Sequence, residues 1–114
     1  MKSISFSVIS FVCLLCLSGL AYAQTGASQG KITNVYTYGD GRVLVLGLTF
    51  AGETCSNDGG FWIPPSHPQL PRLLALVLSA QASGATIEVV AKTDNCWYPE
   101  ITQDTSSYVI VKSQ

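Results

Sequence analysis

The stretch Leu70-Pro-Arg-Leu-Leu-Ala-Leu-Val-Leu-Ser-Ala-Gln-Ala-Ser-Gly84 carries the one helical pattern downstream of residue 23. Leu70, Leu73, Leu74, Val77 and Gln81 follow the i, i+3, i+4, i+7 spacing that places side chains on one helical face. Leu78 is expected to widen that face, and Leu76 lies off it. Pro71 suits the first turn, where a missing N–H leaves no interior bond unmade. Gly84 suits the left-handed residue just past the last turn. Strand-like segments lie on both sides, so the place of this helix among the strands decides the fold.

Three strands are predicted before it. Lys31–Tyr38 is rich in β-branched and aromatic residues. Ile32 and Val35 differ by three positions, which predicts a bulge or change of face near Thr33 and Asn34. Gly39-Asp40-Gly41 is a tight hairpin connection. Arg42–Phe50 follows, with Leu44, Leu46, Leu48 and Phe50 on one face and Val43, Val45 and Gly47 on the other. Both faces are apolar, so a curled sheet or a partner subunit must cover the second. Gly47 marks a bend or a close backbone approach. Phe61–Ile63 is a short third strand, stopped by Pro64 and Pro65, and Pro64–Pro68 is extended.

After the helix, Thr86–Lys92 alternates as a half-buried strand. Ile101 begins a further short strand that Gln103–Ser107 interrupts, and Tyr108–Lys112 is the final strand. Residues 24–30 are small and polar and read as a flexible N-terminal arm. Five strands with one helix between the third and fourth is the order of an OB-fold, a partly open barrel whose helix plugs one end. The fold class is therefore mainly β, an OB-like domain over residues 31–114. An open antiparallel α+β sheet with one helix is the alternative.

Residues 1–23 read as a cleaved signal peptide: Lys2, an apolar run from Ile4 to Leu20, then Ala21-Tyr22-Ala23 before Gln24. The protein is therefore expected to be exported, periplasmic or secreted. Cys13 and Cys16 leave with the leader. Cys55 and Cys96 then read as one disulfide, since His67 is the only histidine and a metal site needs more ligands. Closing a loop of about 40 residues stabilises by roughly 4 kcal/mol.

The chain has six Lys and Arg against seven Asp and Glu. Without Lys2 the balance is five against seven, with no basic cluster, which disfavours nucleic acid as a partner. No apolar run after the leader is long enough to span a membrane.

The leader, the domain size, the single disulfide and the element order together resemble the B-subunits of bacterial AB5 toxins. Those are pentameric OB-fold proteins that bind cell-surface glycans. The resemblance spans most of the chain after the leader, as architecture. It includes no toxin-specific sequence motif, so no glycan-binding residue carries over. The chain equally resembles the many small exported bacterial domains of unassigned function.

Catalytic chemistry finds little footing. His67 lies in the proline-rich loop without the neighbours of a triad. Glu53, Asp58, Asp94, Glu100 and Asp104 are scattered loop acids, and their convergence through the disulfide would favour weak calcium binding over glycoside hydrolysis. Solvated charge is the simpler reading. Neither a metal nor a cofactor is expected, and the cysteine spacing is not that of an exchange-active pair. The aromatic residues are the better candidates. Trp62 points away from Phe61 and Ile63 by alternation, and Trp97 and Tyr98 lie in the cysteine loop. Such rings stack on sugars or anchor protein interfaces; packing over the disulfide and the barrel edge is the structural alternative. Tyr36 and Tyr38 approach the first hairpin, near the loop OB-folds use for ligands.

The expected function is thus a non-enzymatic binding domain for a glycan or protein. Two alternatives are an assembly subunit forming a homo-oligomer and an inhibitor using Pro64–Pro68 as a rigid loop.

Overall fold

The described residues build six strands and one helix, in the order β1 (Thr25–Lys31), β2 (Asn34–Thr37), β3 (Val43–Leu46), β4 (Gly60–Ile63), α1 (Leu70–Ser83), β5 (Thr86–Lys92) and β6 (Tyr108–Val111). The structure is a computed structural model that describes residues 25–51 and 54–112. The expected leader, and Glu53 with it, lie outside the described residues.

Alternation drives β5. Ile87, Val89 and Ala91 are fully buried while the residues between them are half-exposed. This strand is the centre of an antiparallel sheet ordered β1-β5-β6, and a second antiparallel sheet is ordered β2-β3-β4. In the second sheet Val35, Val45 and Phe61 pair in one row, with Val43 and Ile63 two residues along. Those inner faces and α1 enclose the core, which includes Val45, Phe61, Val77, Ile87 and Val89.

Residues 25–30 are not a flexible arm. Thr25 to Lys31 pair in register with Lys92 to Thr86. Small polar residues suit this strand because β5 supplies the apolar partner face, and they suit contact: Ser28 Oγ donates to the Thr49 carbonyl at 2.7 Å. The break at Ile32 and Thr33 falls beside the predicted change of face. There the chain leaves β5 and passes to β3, with the Thr33 amide donating to the Leu46 carbonyl at 2.9 Å.

Gly47 reorganises the predicted second strand. Its φ is +122°, and a Cβ there would collide with the Lys31 carbonyl. The regular strand ends at Leu46, and the faces exchange across Gly47. Val43, Val45, Leu48 and Phe50 all enter the core, whereas Leu44 faces the other way. The expected Leu44-Leu46-Leu48-Phe50 face is therefore corrected by one bulge.

The helix has the predicted bounds. Gly84 is left-handed at φ 69°; its amide donates to Gln81 and the Ala85 amide to Ala80, a Schellman end. Val77 and Ala80 are buried, and Leu70, Leu73 and Leu74 pack half-buried against the core. Leu78 does not widen this face. It stands about 100° round the helix from Val77 and is 45% exposed.

Instead of a strand at Ile101, the segment Pro99–Ile101 makes single bridges to both sheets. The Trp62 amide donates to Pro99 and the Ile101 amide to Trp62, in parallel sense, while Lys92 and Glu100 exchange two bonds in antiparallel sense. The domain is thus mainly β, with two three-stranded antiparallel sheets and one helix among the described residues.

Among the described residues, no helix is long and apolar enough to cross a membrane.

Candidate functional site

The outward face of β2-β3-β4 carries a row that register alone dictates: Tyr36 pairs with Leu44, and Leu44 with Trp62. Leu44 is 3% exposed yet lies on the face opposite the core. Its cross-strand neighbours on that face are Tyr36 and Trp62.

Trp97 is the hub of this layer. Its ring centre lies 5.7 Å from Tyr38, 5.8 Å from Trp62 and 4.8 Å from Tyr98, each pair edge to face. Such pairs are worth about 0.5–1.5 kcal/mol each beyond area burial. The Arg42 guanidinium adds a cation, 4.6 Å from the Trp97 ring centre and 4.9 Å from that of Tyr38. Asp40 orients it: its Oδ2 accepts from Arg42 Nε at 2.8 Å and its Oδ1 from the Arg42 amide at 3.1 Å.

The disulfide sets the position of Trp97. Cys55 and Cys96 are bonded across a separation of 41 residues, as the sequence predicts. On either side the two loops zip together: the Thr54 amide donates to Thr93, that of Ser56 to Cys96 and that of Asn57 to Trp97. The Asn57 side-chain amide doubles the last bond at 3.0 Å. A surface loop held this way presents its rings at a fixed angle. The bond also fits an oxidising compartment.

Four of the five predicted site residues therefore converge: Trp62, Trp97, Tyr98 and Tyr38. Tyr36 joins the same face through the Leu44 row without a ring contact to them. Trp62, Trp97 and Tyr98 are half-buried against one another, whereas Tyr36 and Tyr38 are 46% and 39% exposed. Tyr36 and Tyr38 are the more exposed rings, and the Arg42 guanidinium lies over that of Tyr38. The Trp62 indole N–H is buried and has no hydrogen-bond partner among the described residues. A donor left in that state costs about 1–3 kcal/mol.

Sequence reasoning missed Arg42. The signal was available, because the Gly39–Gly41 hairpin sets Arg42 opposite Tyr38, whose amide donates to the Arg42 carbonyl.

The remaining polar candidates go elsewhere. His67 Nε2 donates to the Thr102 carbonyl at 2.9 Å, and Nδ1 accepts from the Gln69 amide at 3.0 Å. Both ring nitrogens serve the backbone. Thr54 Oγ1 lies 3.4 Å from Asp94, and among the described residues no three His, Cys, Asp or Glu side chains group as a metal site would require.

No family model matches the chain, and neither do any curated protein or solved structure compared with it.

Proposed function

We propose that the chain is an exported, non-enzymatic binding domain of OB type that contacts a glycan through the outward aromatic face. The observation that carries this reading is the fixed layer of Tyr38, Trp62, Trp97 and Tyr98 beside exposed Tyr36, with Arg42 held among the rings. Rings fixed before binding lose little conformational freedom when a sugar face stacks on them. The Arg42 guanidinium adds donors for hydroxyl or carboxylate oxygens.

The OB reading is supported by connectivity. β1 and β2 form one bent stretch that pairs first with β5 and then with β3. Pro99–Ile101 bridges β4 in parallel and β5 in antiparallel sense. Followed round, the order is β1-β5-(Pro99–Ile101)-β4-β3-β2, and β2 runs back into β1. The aromatic layer then lies between the first hairpin and the loop after β5, the two loops that OB-folds use for ligands. Export rests on the leader pattern, with which the disulfide agrees.

A glycan array probed with the wild-type protein and with Tyr36→Ala/Tyr38→Ala tests the reading. Defined glycan hits that the double variant loses support it. An empty array, or hits unchanged by the variant, opposes it; capture of a protein ligand instead would name the other class of occupant.

One observation favours a second reading, an assembly subunit. β6 is an outermost strand and exposes Tyr108, Ile110 and Val111, a surface suited to a second copy. Val43 and Val45 no longer argue for it, since both are in the core. Light scattering at high micromolar concentration distinguishes ring from monomer.

A further inference from the structure

We propose that the cavity between the start of α1 and the turn at residues 101–109 is a second binding site, shaped for one neutral pyranose ring. Its volume is 360 Å³, at the lower end of the roughly 300–1,000 Å³ of small-molecule sites. That suits a single ring rather than an extended chain. The site shares no lining residue with the aromatic layer and does not depend on it.

The floor is apolar: Leu73 from α1, with Ile101 and Val109. The lining also includes Asp104 and Tyr108, the latter 45% exposed. Asp104 is already oriented. Its Oδ1 accepts from the Thr102 hydroxyl at 2.7 Å, from the Ser106 amide at 3.0 Å and from the Ser106 hydroxyl. Oδ2 accepts none of the hydrogen bonds found among the described residues. One carboxylate oxygen thus fixes the group and the other is available to a ligand.

Two further contacts hold the wall in place. The buried Ser107 hydroxyl accepts from the Thr102 amide at 2.6 Å. His67 ties the Thr102 carbonyl to the Gln69 amide, and so joins the turn to the start of the helix. His67 is a positioning residue, with neither nitrogen free for a ligand.

The ligand class follows from charge and shape. Both His67 ring nitrogens are taken up by the backbone, and Asp104 is the one carboxylate in the lining among the described residues. An anion would be repelled. A cation would be desolvated over an apolar floor with one partner. A pyranose instead offers a C–H face to Tyr108 and the floor, and adjacent hydroxyls to Asp104 Oδ2.

The test is a titration of the isotope-labelled protein, followed by amide NMR, with the methyl glycosides of glucose, mannose and galactose. Concentrations run to about 50 mM, since one ring gives affinities near the millimolar range. Glucuronate and methylammonium serve as charged controls. At least one glycoside is expected to shift the amides of residues 101–109 and Leu73 saturably, with neither control doing so. Asp104→Asn and Tyr108→Ala should each weaken that binding at least tenfold while the remaining spectrum is unchanged. Absence of saturable shifts with all three glycosides overturns the proposal, and the wild-type titration alone decides this. Equal binding of either control, shifts confined to the aromatic face, or affinities unaffected by both substitutions also overturn it.

Discussion

Arg42 lies over the face of Trp97 with its guanidinium carbon 4.6 Å from the ring centre, and Asp40 fixes it there by a 2.8 Å ion pair. The pair joins the first hairpin to the disulfide loop, two regions far apart in sequence. Because both partners of the ion pair are partly exposed, the stacking contributes more than the salt bridge. Arg42→Ala is expected to lower stability by about 1 kcal/mol, and Arg42→Lys by less. Urea unfolding followed by tryptophan emission measures both; no loss in Arg42→Ala would remove the contact from the account.

Trp97 is expected to cost more than any other ring in the layer. It touches three rings and the guanidinium, whereas Tyr98 touches Trp97 alone among them. Trp97→Ala should cost about 2–3 kcal/mol, below the 3–5 kcal/mol of a fully buried tryptophan because Trp97 is only half-buried. Tyr98→Ala should cost about 1 kcal/mol, near the energy of its one aromatic pair plus modest burial. The reverse order, read by denaturation monitored through circular dichroism, would contradict the placement of Trp97 as hub.

The Cys55–Cys96 bond should matter to both fold and site. Its removal in Cys55→Ser/Cys96→Ser is expected to cost about 4 kcal/mol, the loop-closure value for this separation. Tryptophan emission should shift to the red even where the chain remains folded, because the loop carrying Trp97 loses its anchor. Unchanged emission in a folded double variant would contradict the role given to the bond.

Gly47 is expected to tolerate no side chain. Its φ of +122° is disfavoured for other residues, and the Lys31 carbonyl occupies the space a Cβ needs. Gly47→Ala should cost about 3 kcal/mol or more, summing backbone strain and a forced shift of β1. A loss below about 1 kcal/mol in thermal unfolding would contradict the described bulge.

Asp104 gives a pH dependence. Hydrogen bonds from the Ser106 hydroxyl, the Thr102 hydroxyl and the Ser106 amide hold its carboxyl below the ordinary value of 3.8. A folded value below the unfolded one means stability that is present above the unfolded value and lost as pH falls through the folded one. The stability difference between wild type and Asp104→Asn should therefore be largest above about pH 4 and shrink on further acidification. A difference that is flat across that range in urea titrations would contradict it.

Periodicity carried the legible part of the fold. The alternation of β5 and the 3.6-residue spacing of α1 depend only on neighbours in sequence, and both are where the pattern placed them. The β1 strand was not legible, because Thr25-Gly-Ala-Ser-Gln-Gly-Lys31 has no apolar alternation of its own; its partner β5 specifies it. The face exchange at Gly47 was half legible. Glycine marked the place, while the direction depends on the Lys31 carbonyl of a different strand. In the site, Trp62, Trp97 and Tyr98 were legible as rings in or beside loops. Their convergence around Trp97 depends on cross-strand register and the disulfide acting together.

The most direct test of the central claim uses a property of composition: the chain has two tryptophans, Trp62 and Trp97, and both belong to the aromatic layer. Tryptophan emission therefore reports on that face alone. Titration with a glycan selected from the array is predicted to change emission saturably, and Tyr36→Ala/Tyr38→Ala is predicted to weaken the apparent affinity at least tenfold. Saturable binding of that glycan by calorimetry that persists in Asp104→Asn and Tyr108→Ala, with no change of emission and with equal affinity for Tyr36→Ala/Tyr38→Ala, would contradict the account.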